Sequence, residues 1–245
     1  MCNADISKPA ICGFLKKEMT RKILTKPAAE RFNDENMMYT RAFLAVMYRT
    51  DPKKMKLFDE SGFHKPDVCN RRYGRSTKGE RAIEIQTRTR TKNVTLNLLI
   101  GIDGVCHANI LDGASNADTF MEFVFNALNS TTNYGDLALR PGDFLILDNC
   151  PIHRFRAEDV LSRMLDRFGI EYILLPTYSL HLNPVELCFN HIKTLMKTED
   201  IRSVAKDDLE YAIMCCVNSI TADDCMGYYS HVGYLRMWNE MNHEI

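Results

Sequence analysis

Residues 142–155, GDFLILDNCPIHRF, and residues 171–197, EYILLPTYSLHLNPVELCFNHIKTLMK, decide how this chain is read. In the first, Phe144-Leu145-Ile146-Leu147 is a short apolar run of the kind a buried strand needs, and Asp148 ends it. In the second, Asn183-Pro184 is a helix-start signature, a capping side chain followed by proline at the first helical position. That start places Glu186 in the first turn. Upstream, residues 54–63, KMKLFDESGF, carry Asp59 at the end of another apolar run. Three carboxylates brought together from separate elements repel one another unless a cation lies among them. Oxygen-only donors select hard ions such as Mg²⁺. Alternation along a strand sends Asp59 and Glu60 to opposite faces, so only one can join a shared site, and pattern alone does not choose. Acids are common in a chain with 32 of them, and a pair of carboxylates would also serve glycoside hydrolysis.

Composition narrows the class. With 45% hydrophobic and 26% charged residues, the 245-residue chain can bury a sizeable core, as one α/β unit or more. No apolar run approaches a membrane span, and the N-terminus, with Asp5, Lys8 and Lys16, lacks a secretory core. The 9 cysteines include no C-x-x-C pair, and Cys106, Cys188 and Cys216 sit in apolar patterns, which predicts reduced core thiols. The net charge of −1 conceals an uneven distribution. Residues 1–56 hold 12 Lys/Arg against 6 Asp/Glu, and residues 71–92 hold 8 against 2. Basic segments flanking an acidic remainder suit phosphate contact beside a metal-requiring centre.

Taken in order, residues 7–19 form a short apolar stripe behind a Ser7 cap and Pro9, and a basic linker broken at Pro27 follows. A helix is predicted over residues 30–49, and a short strand over 56–59. Tyr73 lies among Arg71, Arg72 and Arg75, which offers stacking beside phosphate contact. Residues 93–102 and 105–111 read as a hairpin turning at Asp103-Gly104. Asp103 and Asp112 each precede glycine and are explained by turn chemistry. Asn116 caps a helix with Phe120, Phe123, Val124 and Leu128 at helical spacing. Further helices are predicted over residues 157–168, from Pro184, and over about 205–220, with a strand at 171–175. The order predicts an α/β layered domain, a mixed sheet of about five strands flanked by helices.

The wording around the acids is more specific than their spacing. LFDESGF, RRYGRSTKGERA, LILDNCPIH and LLPTYSLHLNPVELCFNHIK, in that order over about residues 50–200, closely resemble the catalytic domain of the mariner superfamily of transposases. The resemblance implies a ribonuclease-H-like fold with an Asp-Asp-Glu triad, and matches Asp59, Asp148 and Glu186 to the three acids. It implies that these three hold Mg²⁺ or Mn²⁺, two ions, for hydrolysis and rejoining of DNA phosphodiesters. It favours Asp59 over Glu60. Asn149, His153, Asn183 and Asn190 become second-tier or DNA-facing residues. Lys16, Lys17, Arg21, Lys22, Arg71, Arg72, Arg75, Lys78 and Arg81 become candidate DNA contacts. The partners implied are transposon-end and target DNA, with a homodimer on paired ends and no membrane, in a nucleus or, in a prokaryote, the cytoplasm.

Two features depart from the family pattern. Where the family often has Ser-Pro-Asp-Leu-Asn-Pro, this chain has Ser179-Leu180-His181-Leu182-Asn183-Pro184, which weakens the turn before Glu186. At the front, residues 1–28 resemble only the tail of a helix-turn-helix region and its basic linker. Residues 29–52 are then a linking helix and 53–245 the catalytic domain. The expectation is general phosphate-backbone affinity without strong sequence choice. The alternatives are a catalytically inert, truncated transposase-derived nucleic-acid-binding or interaction protein, and a nuclease that cuts without joining.

Overall fold

A computed structural model describes residues 28–64, 75–83, 93–132, 135–149 and 158–242. Among them, five strands make one mixed sheet: β1 (Met55–His64), β2 (Asn93–Gly101), β3 (Gly104–Asp112), β4 (Phe144–Leu147) and β5 (Glu171–Leu174), in spatial order β3-β2-β1-β4-β5. β1, β2 and β3 pair antiparallel, whereas β4 and β5 run parallel to β1 on its other side. The helices are α1 (Asp34–Arg49), α2 (Ala117–Leu128), α3 (Glu158–Arg167), α4 (Pro184–Leu195), α5 (Glu199–Asp207), α6 (Leu209–Asn218), α7 (Ala222–His231) and α8 (Tyr234–Asn242). None is long and apolar enough to cross a membrane.

Alternation along the strands divides the core in two. Met55, Leu57, Phe63, Leu96, Leu98 and Ile146 pack with Phe43 of α1, Val185, Cys188, Phe189 and Ile192 of α4, and residues of α6 and α7. Phe58, Leu99, Leu145 and Leu147 face the other way, against Phe120, Phe123 and Val124 of α2 and Leu161 and Leu165 of α3. Each such side chain, fully withdrawn from water, contributes about 1.5–3 kcal/mol. Phe58 packs its ring 5.2 Å from Phe120 and 4.8 Å from Phe123, spacings typical of tilted aromatic pairs. Cys106, Cys188 and Cys216 are buried free thiols whose pKa values burial pushes up. This is the reduced-core role their pattern predicts.

Several boundaries differ from the sequence reading. β1 runs on past Asp59 to His64, because Asp59 to His64 continue to pair with β2 although their apolar pattern breaks at Asp59-Glu60. The hairpin turns at Ile102-Asp103, with Gly104 already in β3 at φ 128, a conformation that suits glycine. The single helix predicted over about 205–220 is two helices broken at Asp208, whose side chain caps α6 by accepting from Tyr211 N. α7 and α8 have no counterpart in the sequence reading. The helix at residues 7–19 lies outside the described residues.

Candidate active site

The geometry begins with strand register. β1 and β4 are parallel neighbours, and their last paired positions are Phe58 and Leu147. Asp59 and Asp148 are therefore the next residue on each of two adjacent strands, whose spacing is about 4.8 Å. Alternation sets Asp59 on the face of Leu57 and Asp148 on the face of Ile146, the face covered by α4. Glu60 falls on the opposite face with Phe58, where Asn97 is its register partner on β2.

The third acid arrives on α4. Asn183 Oδ1 accepts from Val185 N at 3.1 Å and caps the helix, and Pro184 occupies its first turn. The other end of the same buried amide reaches β1: Asn183 Nδ2 donates to Asp59 Oδ2 at 2.8 Å. One side chain thus starts the helix and ties that start to the first acid. Glu186, in the first turn, sits where the helix dipole favours a carboxylate.

Burial, with smaller contributions from the charges of Asp148 and Glu186, pushes the Asp59 carboxyl up to about 7, against a backbone hydrogen bond from Glu60 N that lowers it. That bond, to Asp59 Oδ1, is 2.7 Å long. Asp59 feels both other acids, so the fold brings the three into one electrostatic neighbourhood. Among the described residues no group of three or more acidic, histidine or cysteine side chains is placed to hold a metal ion. The donor set is oxygen-only, and a divalent ion would offset the repulsion that raises Asp59, so these residues fit a hard cation.

The remaining candidates scatter. Asn149 Nδ2 donates to Thr177 Oγ1 at 2.9 Å, beside the site. Asn190 is exposed, one turn along α4 from Glu186. Arg75, Lys78 and Arg81 are exposed around a turn at Gly79. His153, Lys16, Lys17, Arg21, Lys22, Arg71 and Arg72 lie outside the described residues.

Residues 176–181 hold features that the sequence reading missed. Ser179 N donates to Pro176 O at 3.2 Å, closing a turn whose third residue, Tyr178, has φ 58. A type II turn asks for glycine there, and a tyrosine costs about 1–2 kcal/mol. The turn is clamped from α1: Asn36 Oδ1 accepts from Thr177 N at 3.1 Å, while Asn36 Nδ2 donates to Thr177 O at 3.2 Å. Arg31 Nη2 lies 3.2–3.3 Å from both ring nitrogens of His181, so the guanidinium rests across the ring edge rather than on one nitrogen. Burial and then Arg31 lower the His181 pKa. The Leu180-His181 departure thus leaves Leu180 exposed and gives His181 a contact with Arg31. No sequence signal marks Tyr178 as strained, since its clamp lies on a distant helix.

Comparison with known proteins agrees with this architecture. A family model described as DDE superfamily endonuclease matches residues 54–209, which include all three acids. Among solved structures, the chain is similar to a Mos1 transposase paired-end complex with left transposon end, at 16% identity and a TM-score of 0.63, covering 96% of this chain and 71% of that one. It is similar also to the mariner Mos1 paired end complex with Mg, at 17% identity and a TM-score of 0.62, covering 98% and 71%. The catalytic domain of Mos1 mariner transposase matches at 15% identity and a TM-score of 0.55, covering 88% and 95%. At such identities the likeness shows the fold, the ribonuclease-H-like α/β arrangement. None of the curated proteins matches in sequence.

Proposed function

The chain belongs to the DDE superfamily endonucleases, and from that premise we propose that it is a transposase-type DNA endonuclease and strand transferase. The observation that carries the reading is the register of β1 and β4, which makes Asp59 and Asp148 neighbours and sets the Asn183-anchored start of α4 against them. Asp59, Asp148 and Glu186 would hold Mg²⁺ or Mn²⁺, two ions, through carboxylate oxygens. Bound ions of this kind activate an attacking oxygen and stabilise a leaving one in phosphoryl transfer. Asn183 orients the Asp59 carboxylate, and the strands keep both aspartates from drifting apart. Arg75, Lys78 and Arg81 supply phosphate contact from an exposed segment, with Arg71, Arg72, Lys16, Lys17, Arg21 and Lys22 in the same role. The DNA would be transposon ends and target, gripped by a homodimer. Mos1 is known in a paired-end complex and in a strand transfer complex, which supports that assembly by analogy of fold.

The decisive measurement is nicking of plasmid DNA with and without Mg²⁺ or Mn²⁺. Nicking should require the ion and fall by about 10²–10³-fold in Asp148→Ala, as loss of a principal electrostatic group does. Unchanged nicking in that variant would overturn the assignment. DNA binding with no metal-dependent cleavage, unaffected by Asp59→Ala, would reduce the chain to an inert binding protein. Hydrolysis without joining of a 3′-hydroxyl end to target DNA would make it a nuclease only.

A further inference from the structure

Glu186, Asn190 and Lys193 fall on one face of α4, at intervals of four and three residues, and Lys197 follows just past the end of the helix. The inward face, with Val185, Cys188, Phe189 and Ile192, is buried in the core. Lys193 stands seven residues beyond Glu186, about 10 Å along the helix axis. β1 leads to the same place from the first acid. Asp59, Ser61 and Phe63 alternate onto the face that α4 covers, and Phe63 lies about 13 Å beyond Asp59.

The two elements meet in a held cation. Lys193 Nζ lies 5.5 Å from the centroid of the Phe63 ring and 6.0 Å from that of Phe189, and both rings are buried. A lysine ammonium ordinarily swings on a flexible four-carbon stem. Here two rings fixed by the core attract it to one point. Rings hold a cation without neutralising it, and Lys193 makes no ion pair among the described residues. Its charge and N–H donors are left for an anion from outside. Lys197, by contrast, is exposed and rests on no ring among the described residues.

We propose that Lys193 takes a backbone phosphate of the DNA strand whose phosphodiester the acids address, three or four nucleotides away from it. Phosphates of one strand recur about every 3.4 Å along a duplex axis, so a cation about 10–13 Å from the acids stands three to four steps along. The assignment rests on the nuclease reading above. Such a contact fixes the register of the strand on the protein and reads no sequence.

The test measures binding of the whole chain to a short duplex in EDTA across a range of salt concentrations. Lys193→Met keeps a polarisable cover over the two rings and removes the charge, so its Tm should stay within about 2 °C of the parent. It should bind about tenfold more weakly, and the slope of log affinity against log salt should shrink by about 0.9, the share of one phosphate. Lys193→Arg should retain both. Lys197→Met should lose no more than about threefold. An unchanged slope in Lys193→Met overturns the assignment and leaves the lysine as a cover for its rings. An equal loss in Lys197→Met overturns it by making Lys193 one cation among many. In Mg²⁺, a single uncharged methylphosphonate should suppress nicking three or four positions away on its strand in the parent and not in Lys193→Met. Suppression equal in the two proteins overturns the assignment as well. Ion-dependent nicking with an unchanged slope would remove the contact and keep the nuclease. A reduced slope in a chain that never nicks would keep the phosphate contact and remove the nuclease.

Discussion

Asn183 is the residue on which most of the site converges. Its two amide ends serve two elements, a cap on α4 and a hydrogen bond to Asp59. Asn183→Ala removes a cap worth about 1 kcal/mol and a charge-assisted bond to a carboxylate worth about 1.5–3 kcal/mol. Urea denaturation above about pH 7, where Asp59 is ionised, should show a loss of roughly 2–4 kcal/mol. Asn183→Asp keeps the cap but sets a fourth carboxylate against Asp59, so its loss should shrink when Mg²⁺ is added, while that of Asn183→Ala should not. Asp59 makes stability depend on pH. Its folded pKa is raised from 3.8 to about 7, chiefly by burial, so the folded chain keeps a proton that the unfolded chain has released between those values. The folded state then binds more protons, and stability falls as pH rises from about 4 through about 7. The fall is on the order of 4 kcal/mol at most, from about 1.4 kcal/mol per unit. Denaturation of metal-free protein at about pH 5 and about pH 7.5 should reveal it, Asp59→Asn should flatten it, and Mg²⁺ should stabilise more at the higher pH.

Among the elements, α1 is the one whose docking reaches the site. Phe43 and Met47 bury its inner face, Tyr39 Oη donates to Leu174 O at 2.7 Å, and Asn36 holds the backbone of Thr177. Asn36→Ala leaves the half-buried backbone groups of Thr177 without these partners, at about 1–2 kcal/mol. With Thr177 released, Asn149 loses its fixed partner next to Asp148, so nicking should fall more than DNA affinity. Equal falls in both would show that α1 acts only as packing. Elements with local signals were legible in the sequence: the Asn183-Pro184 start, the Asn116 cap and the apolar run before Asp148 each declare themselves within a few residues. Elements that depend on distant partners were not. β1 looked four residues long because Glu60, Ser61 and Gly62 dilute its pattern, and pairing with β2 extends it. The strain at Tyr178 is held by a helix 141 residues away in sequence, beyond any local pattern.

At the scale of the molecule, strand register sets Asp59 and Asp148 side by side on the sheet face that α4 covers, and Glu186 rides in the first turn of that helix. Register supplies the physical reason for preferring Asp59 to Glu60, since alternation puts Asp59 on the α4 face. The same sheet has a further consequence. β1 and β2 are antiparallel neighbours whose pairing extends to His64 opposite Asn93, so residues 65–92 leave and rejoin the sheet at paired positions. Closing a loop costs only (3/2)RT times the logarithm of its length, so replacing residues 65–92 by a short turn should stabilise the chain by about 1–2 kcal/mol. The excised protein should still nick at saturating DNA, with a higher KM and a shallower salt dependence as the Arg71–Arg81 cations are lost. A chain that no longer nicks at any DNA concentration would show that the segment takes part in the chemistry. Where the expected result holds, grip and cut are separately heritable: this stretch can lengthen, shorten or change its charge over generations while the acids stay in register.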